Sequence, residues 1–259
     1  LIGSSGSGKS HRLYADIVGH AGEHPKQTHI VLVPDQFTLQ TQRKLVELAP
    51  KHGIMNIEVL SFERLAYRVF DELGTDTADV LEDTRKALLL RKVCDDLRGE
   101  LTVLGSGIDK PGFIDEVKSL LSEFSQYDIS PEVLGDFLRV EHMGSSYYGR
   151  VSDIQKIYEA YQRQMEGSYI TAEQILSLLC EVVEESSFVR DAYLLFDGYT
   201  GFTPVQNRLF AMMLPLADTL RVAVTMDARE PLYRKSDKTA LFSMSRDFIG
   251  AMTRLAKQT

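Results

Sequence analysis

The sequence has few cysteines, no long apolar run and no surplus of basic residues, and each absence excludes a class of protein. Two cysteines, Cys94 and Cys180, are too few for a disulfide framework or a four-cysteine metal site, so a reduced cytoplasmic setting is the default. No apolar run is long enough to span a membrane, and no signal peptide is recognisable, so we expect no membrane association. The 29 Lys and Arg against 37 Asp and Glu give a net charge of −8, which disfavours a free-standing basic nucleic-acid binder but permits a local basic stripe.

The remaining composition is that of an ordinary globular protein. Hydrophobic residues make up 44% and charged residues 25% of the 259 positions, which excludes intrinsic disorder and leaves room for one large core or two domains. Leu1-Ile2 has the pattern of the end of a strand, so we expect the natural chain to begin upstream.

Strand and helix patterns alternate in the first third of the sequence. Apolar runs at 30–33 and 57–60 predict buried parallel strands, and helical periodicity is present at 9–18, 38–48 and 62–72. Strands that alternate with helices indicate βαβ units and a mostly parallel sheet.

The middle of the sequence carries only helical patterns, and the last part returns to strands. At least four amphipathic helices are predicted between residues 76 and 185, whereas 192–196 and 221–225 predict strands. Between these strands a helix begins at Pro204, with Thr203 as its N-cap. We therefore predict an α/β fold, in which a parallel-sheet domain is interrupted by an inserted all-helical subdomain. The predicted division is 1–75 for the first part of the sheet domain, 76–187 for the insert and 188–259 for the second part.

One motif carries clear chemistry. Residues Gly3-Ser4-Ser5-Gly6-Ser7-Gly8-Lys9-Ser10 match G-x-x-x-x-G-K-[ST] in full, after a strand pattern and before a helix pattern. Glycines allow successive N–H groups to surround a phosphate, and the start of the helix adds its positive dipole end. Lys9 would reach the outer phosphates of ATP and the Ser10 hydroxyl would bind Mg²⁺. A Gly/Ser loop or a cloning scar is the competing explanation, but a scar would not carry Lys-Ser at this spacing, followed at once by a helical pattern.

A second acid is needed for the metal ion, and Asp197 is the candidate. It follows the apolar run 194–196, at the strand edge where α/β sheets bind ligands, although a simple turn residue before Gly198 is the alternative. Helicase-type motors carry Glu directly after this Asp to activate water, whereas this chain has Gly198, so we expect ATP binding with weak or lost motor activity. Asp227, after the last strand pattern, is either a further motif acid or an ordinary strand-end residue.

Two further segments would contact DNA if the sheet is of the helicase type. Gln36 and Phe37 follow the second strand pattern, and Ser61, Phe62 and Arg64 follow the third. Hydroxyl and amide groups at a helix start suit phosphate, and aromatic rings can stack on bases. Packing between helix and sheet is the competing explanation for the two phenylalanines, and a solvated helix face for the arginine.

Four segments in this order together resemble the AddB family. They are the glycine-rich motif, V-P-D-Q-F-T at 33–38, S-F-x-R-L-A at 61–66 and F-D-G-x-x-x-F-T-P at 196–204. AddB is the B subunit of the bacterial AddAB ATP-dependent helicase–deoxyribonuclease, and RexB is its relative. The resemblance is to the N-terminal region of AddB and spans essentially the whole chain.

The resemblance implies a superfamily-1 helicase-like core, domain 1A, with an inserted 1B subdomain. It implies ATP and Mg²⁺ as cofactors, DNA and an AddA-like subunit as partners, and a cytoplasmic bacterial role in processing double-strand breaks for recombinational repair. The nuclease of this family, with its iron–sulfur cluster, belongs to the C-terminal part. Because Cys94 and Cys180 do not match its cysteines, we expect neither nuclease activity nor a cluster in this segment.

Two other functions stay open. A P-loop kinase or phosphotransferase with a helical lid would transfer phosphate to a small acceptor, but an insert of over 100 residues is large for a lid, and no Arg-rich lid is recognisable. A non-catalytic scaffold with a vestigial P-loop would bind no nucleotide.

Overall fold

A computed structural model describes residues 1–50, 53–75, 79–140, 145–166, 169–227, 229 and 239–258. The chain divides into two compact units, the first formed by Leu1–Thr75 with Leu176–Thr259 and the second by Asp76–Ile175. The fold is α/β with parallel sheets, as the sequence predicts.

The described helices and strands follow one another in this order: β1 (Ile2–Gly3), α1 (Lys9–Glu23), β2 (His29–Leu32), α2 (Thr38–Leu48), β3 (Ile57–Leu60), α3 (Phe62–Leu73), β4 (Asp79–Val80), α4 (Asp83–Asp96), α5 (Phe113–Gln126), α6 (Pro131–Val140), α7 (Ser145–Met165), β5 (Tyr169–Ile170), α8 (Ala172–Val182), β6 (Tyr193–Phe196), α9 (Pro204–Met213), β7 (Thr219–Val222), β8 (Val224–Thr225) and α10 (Ser243–Gln258). Short 3₁₀ turns lie at Asp35–Phe37, Gly105–Gly107 and Val183–Glu185.

The first unit is built on parallel strands in the order β3-β2-β6-β7, with β1 paired in parallel to β8. Only Ala223 separates β7 from β8. Its N–H donates to the Phe196 carbonyl (2.8 Å), and the next N–H, of Val224, donates to the Leu1 carbonyl (2.9 Å). The run 219–225 therefore lies between β6 and β1, and the strand that leads into the glycine-rich motif belongs to the same layer as the strand that ends at Asp197.

β2 and β6 do not alternate apolar with polar side chains because both of their faces are buried. All four residues of each strand are buried, because strands on both sides and helices on both faces cover them. The outer strand β3 is only partly buried. The core of this unit joins apolar side chains of α1, such as Leu13 and Ile17, to Val31 of β2, Leu45 of α2 and residues of β6.

The second unit has its own core, in which α4, α5 and α7 contribute most of the apolar side chains. Asp153 of α7 is completely buried, and its carboxylate accepts hydrogen bonds from the N–H groups of Thr102, Val103 and Leu104 at 2.7–2.9 Å. Burial raises the pKa of Asp153, but these hydrogen bonds outweigh burial and hold the pKa below its ordinary value. The carboxylate therefore anchors the 102–104 segment to α7.

Most predicted elements are confirmed, but the prediction of an all-helical insert is wrong. The insert is not all-helical, because β4 and β5 form a short parallel pair with Asp79 opposite Tyr169. Two-residue strands have no periodicity that a sequence pattern could reveal. The second compact unit, Asp76–Ile175, lies within the predicted insert of residues 76–187.

Residues 186–188 are hydrogen-bonded to α3 of the first unit. The Glu72 carboxylate of α3 accepts hydrogen bonds from the N–H of Ser187 (2.9 Å), the N–H of Phe188 (3.1 Å) and both serine hydroxyls, those of Ser186 and Ser187. These bonds attach the segment before β6 to the first unit.

Two predicted helix starts are confirmed in detail. The Ser61 hydroxyl accepts from the Arg64 N–H at 3.3 Å, and Thr203 forms a reciprocal capping box with Gln206, with Pro204 as the first helical residue. Helix α6 was not predicted from the sequence.

None of the helices, over the residues described, is both long and apolar enough to cross a membrane.

Candidate functional site

The turn between β1 and α1 has a backbone shape that can surround an anion. Gly6 (φ +73°) and Gly8 (φ +82°) adopt the left-handed conformation, which glycine reaches without steric penalty. The Ser7 N–H closes the turn on the Ser4 carbonyl at 3.2 Å, and the Gly8 carbonyl accepts the first helical bond from Arg12 at 2.9 Å. The serines at 4, 5 and 7 are exposed.

The start of α1 concentrates positive charge on this turn. No side chain within the described residues caps α1, and its first turn contains no acidic residue. The Lys9 ammonium donates to the Ser4 carbonyl at 2.8 Å, so the lysine is folded back across the turn. A Cβ at Gly3 would lie 2.8 Å from the Ser7 hydroxyl oxygen, so a side chain here would require that hydroxyl to move. Free helical N–H groups and a lysine cation at one place suit a phosphate group.

Asp197 is brought against α1 by a residue that sequence reasoning missed. The Tyr14 hydroxyl donates to Asp197 Oδ2 at 2.6 Å, and the Gly198 N–H donates to Asp197 Oδ1 at 2.9 Å. Tyr14 lies four residues after Ser10, on the same helix face and about 6 Å along the axis. Asp197 is 9% exposed, so its carboxylate is nearly enclosed. The structure therefore bonds the predicted second acid to Tyr14, a residue one helical turn after the serine of the glycine-rich motif.

A second hydroxyl completes this cluster. Thr41 Oγ1 of α2 lies 3.3 Å from the Tyr14 hydroxyl oxygen, and both residues are buried. Burial and the Asp197 charge raise the pKa of Tyr14 well above its ordinary range, so its hydroxyl stays protonated and donates to the carboxylate. Asp197 lies 183 residues from Tyr14 in sequence, so no local pattern connects the two residues. The spacing of four residues from Ser10 was the only feature of the sequence that could have pointed to Tyr14.

Gly198 is held in a conformation that disfavours the missing glutamate. Its φ is +82°, and a Cβ there would lie 3.3 Å from Pro34 Cδ and 3.4 Å from Phe37 Cδ2. An L-residue would be both strained in its backbone and crowded by the turn after β2. The same contact brings Phe37 next to the turn that carries Asp197.

Asp227 is engaged by a neighbour. The guanidinium of Arg229 donates to its carboxylate, with 2.8 Å between Nη2 and Oδ2, and the Arg229 N–H donates at 3.0 Å. These bonds lower the pKa of Asp227 to about 2. Arg229 is exposed and Asp227 is half-buried, so the arrangement fits an ordinary strand-end residue as well as a motif acid.

The candidate DNA-contact residues have different surroundings. Gln36, Phe37 and Arg64 are exposed, with 39% of the Phe37 surface accessible. Ser61 is buried, and its hydroxyl is used as a helix cap. Phe62 is only 5% exposed, so its ring has no free face on which a base could stack.

The ring of Phe62 belongs to an aromatic cluster that explains its burial. Its centroid lies 5.4 Å from that of Tyr199, 5.5 Å from that of Phe202 and 6.1 Å from that of Phe196. These three partners belong to the F-D-G-x-x-x-F-T-P segment, so this segment packs against the start of α3. We therefore assign Phe62 to packing and retain the exposed residues as DNA-contact candidates.

A histidine cluster, to which the sequence analysis assigned nothing, lies where β2 and β6 begin. His29 is fully buried, and its Nε2 lies 3.0 Å from Nδ1 of His20, whose ring stacks on that of His24 at 4.1 Å. Burial lowers the pKa of His29, so a neutral ring is favoured. Across the described chain, no group of three or more His, Cys, Asp or Glu is arranged to hold a metal ion.

Both cysteines are buried, and neither is part of a disulfide. Cys94 lies on α4 and Cys180 on α8. Burial raises the pKa of Cys94 to about 11, so its thiol stays protonated and unreactive at neutral pH.

Comparison with known proteins connects these features to one family. The family model described as AddB, N-terminal, matches residues 1–259. A protein of Lachnoclostridium phytofermentans, named as the B subunit of an ATP-dependent helicase/deoxyribonuclease, is 41% identical over 99% of this chain and 22% of its own length. Proteins with the same name from Clostridium tetani and Clostridioides difficile are 31% and 29% identical over 86% and 100% of this chain. The chain spans about a fifth of the length of these curated relatives. The full-length match to the family model and the identity to these relatives confirm the resemblance, and the chain belongs to the AddB N-terminal family.

Proposed function

We propose that this chain is the ATP-binding, helicase-like N-terminal segment of one subunit, the AddB type, of a helicase–deoxyribonuclease. The observation that carries the proposal is the glycine-rich turn, with left-handed Gly6 and Gly8 and with Lys9 folded across it. Asp197 is bonded to Tyr14 of the helix that follows this turn. The relatives are named as a subunit of an ATP-dependent helicase/deoxyribonuclease, which agrees with nucleotide binding at such a turn.

The residues fit ATP and Mg²⁺ in their donor chemistry. Residues 3–10 offer backbone N–H groups and the Lys9 ammonium to phosphate oxygens, and the Ser10 hydroxyl and Asp197 carboxylate are oxygen ligands of the kind that Mg²⁺ prefers. A carboxylate has about four acceptor positions, and Asp197 uses two of them, for Tyr14 and Gly198. The other two positions would serve a metal ion or its water.

We propose that hydrolysis is slow even though nucleotide binds. Position 198 has no side chain that could orient or deprotonate water, and its φ of +82° disfavours a glutamate there. Bound Mg²⁺ would supply charge stabilisation to the phosphates. The residues of this chain would contribute binding and orientation, without a general base at this position.

The sheet geometry supports a helicase-like arrangement. β1, β2, β3 and β6 belong to parallel ladders, so the segments that follow them emerge at the same edge. That edge therefore presents the glycine-rich turn, Gln36 with Phe37, the start of α3 with Arg64, and Asp197. We propose that Gln36, Phe37 and Arg64 contact DNA there, through amide and cation contacts to the backbone and stacking by Phe37.

The role of the whole protein follows from the family. We propose that it acts on DNA ends in double-strand break repair by recombination, in the bacterial cytoplasm, together with an AddA-like partner subunit. The relatives are each named as one subunit of a deoxyribonuclease, which supports a complex with another subunit. The nuclease and its iron–sulfur cluster would belong to other parts of the full-length protein.

Nucleotide binding by the full natural chain tests the site. We expect Lys9→Ala to weaken Mg²⁺-ATP binding about 10- to 100-fold, as for loss of one charged hydrogen-bond partner. Lys26→Ala, which removes a lysine beyond the end of α1, is the matched control and should leave affinity unchanged. Unchanged affinity in Lys9→Ala would refute the site.

Two further measurements separate the alternatives. A scaffold with a vestigial P-loop would show no rise in melting temperature with ATP, because only a ligand of the native state raises it. A kinase would transfer labelled phosphate to a small acceptor, whereas our proposal predicts no transfer.

A further inference from the structure

A hydrogen bond joins Tyr14 to the carboxylate of Asp197, which the proposed function assigns to Mg²⁺. Tyr14 lies on α1 and is only 3% exposed. The 2.6 Å separation between hydroxyl oxygen and Oδ2 is short, as is typical when a hydroxyl donates to an ionised carboxylate. The glycine-rich turn does not need a hydroxyl here for packing, since phenylalanine would fill almost the same volume.

The hydroxyl has one proton and two oxygen neighbours, which fixes the direction of the chain of bonds. Asp197 Oδ2 is at 2.6 Å and Thr41 Oγ1 at 3.3 Å, and an ionised carboxylate can only accept. The Tyr14 proton therefore lies toward Asp197, and the Thr41 hydroxyl donates to the Tyr14 oxygen. The series Thr41, Tyr14, Asp197 runs from α2 through α1 to the end of β6.

The two oxygens of Asp197 are thus held from two directions. The Gly198 N–H binds Oδ1 and the Tyr14 hydroxyl binds Oδ2, so the carboxylate cannot rotate without losing a hydrogen bond. Groups that orient metal-binding carboxylates affect metal affinity strongly, by about 10- to 100-fold on mutation. A carboxylate that is already oriented loses less entropy when it binds a metal ion.

We propose that Tyr14 is a positioning residue that orients the Asp197 carboxylate for Mg²⁺ and so sets the metal dependence of ATP binding. The proposal rests on the proposed function of the glycine-rich turn and Asp197. The proposal gives Tyr14 and Lys9 different roles. Lys9 would bind ATP with or without the metal ion, whereas Tyr14 would affect ATP binding only through the metal ion.

The test compares ATP affinity with Mg²⁺ and with EDTA in the full natural chain. Tyr14→Phe should weaken the apparent affinity for Mg²⁺, measured in the presence of ATP, about tenfold and leave ATP affinity in EDTA within about twofold. Tyr193→Phe is the matched control, since Tyr193 is an equally buried tyrosine at the other end of β6, and it should change neither quantity. If Tyr14→Phe weakens ATP binding equally with and without Mg²⁺, the hydroxyl is only structural and the proposal is overturned.

Asp197→Asn distinguishes failure of this inference from failure of the proposed function. If Asp197→Asn removes the Mg²⁺-dependent gain and Tyr14→Phe does not reduce it, the site stands and the role of Tyr14 is refuted. If Asp197→Asn leaves the gain intact, the metal assignment itself fails. Should Tyr14→Phe not fold, Thr41→Val decides the question: we expect a weakening of about two- to threefold in Mg²⁺ affinity, and no change would overturn the proposal.

Discussion

Gly198 allows a prediction whose magnitude follows from backbone geometry and one contact. An L-residue in the left-handed region costs about 1–2 kcal/mol relative to glycine. The added Cβ would also lie 3.3 Å from Pro34 Cδ and 3.4 Å from Phe37 Cδ2. We therefore expect Gly198→Ala to lower the free energy of unfolding by about 1–3 kcal/mol, and the melting temperature by about 2–4 °C per kcal/mol.

A nearby glycine provides the matched control. A Cβ at Gly201, in the same turn, would meet no atom within 4 Å, and its φ is not left-handed. Urea unfolding followed by circular dichroism measures both variants, since the chain has no tryptophan for fluorescence. Asparagine tolerates the left-handed region better than alanine, so Gly198→Asn isolates the contact with Pro34 and Phe37 from the backbone cost.

The same geometry predicts that the glutamate of motor helicases cannot simply be restored. Gly198→Glu should be destabilised at least as much as Gly198→Ala and should show no increase in ATP hydrolysis, because its side chain would start from a strained, crowded Cβ. The reasoning is refuted if Gly198→Ala is as stable as Gly201→Ala, or if Gly198→Glu hydrolyses ATP rapidly.

Three further predictions concern ionisable groups that are hydrogen-bonded within the fold. Glu72→Gln should lower the free energy of unfolding by about 1–3 kcal/mol. In the wild type, the stabilisation by the Glu72 carboxylate should be complete above the ordinary pKa of Glu and should disappear as pH falls through the lowered pKa of the folded state. Urea titrations at several pH values measure this stabilisation. Asp153→Asn should cost about 3 kcal/mol in denaturant unfolding, because an amide nitrogen would face N–H donors that a carboxylate now satisfies. Stability should rise with pH from the lowered folded pKa of His29 to about 6.5, the unfolded value, and His29→Gln should reduce this slope.

Each of these predictions has a contradicting result. For Glu72, burial raises the pKa, but the hydrogen bonds outweigh burial and lower it. A free energy of unfolding that does not fall in acid would therefore show that these bonds do not form. An Asp153→Asn chain as stable as wild type would show that the 102–104 segment does not depend on the carboxylate. If the free energy of unfolding of His29→Gln depends on pH as strongly as that of the wild type, another group is responsible for the pH dependence.

Local patterns in the sequence predicted the elements well where neighbouring residues decide the conformation. The Ser61 and Thr203 caps, the limits of α2 and the strand β3 were all predicted, because capping and periodicity depend on residues within a few positions. The glycine-rich motif belongs to this class, since its left-handed glycines and following helix are encoded in eight consecutive residues.

Long-range packing decided what the sequence left open. Phe62 could have stacked on a base or packed inside, and its contacts with Phe196, Tyr199 and Phe202 show that it packs inside. The β4–β5 pair joins residues 90 positions apart, from Asp79 to Tyr169, and neither strand has a pattern of its own.

The sequence by itself therefore determined the alternation of strands and helices, the glycine-rich turn and the family. Only the tertiary structure decided which groups surround Asp197, because that depends on how β6 is placed against α1 and α2. Parallel pairing with β2 places Phe196 opposite Leu32, and this register puts the next residue, Asp197, beside Tyr14. A shift of one residue would turn the carboxylate to the other face of the sheet, and no local pattern fixes that choice.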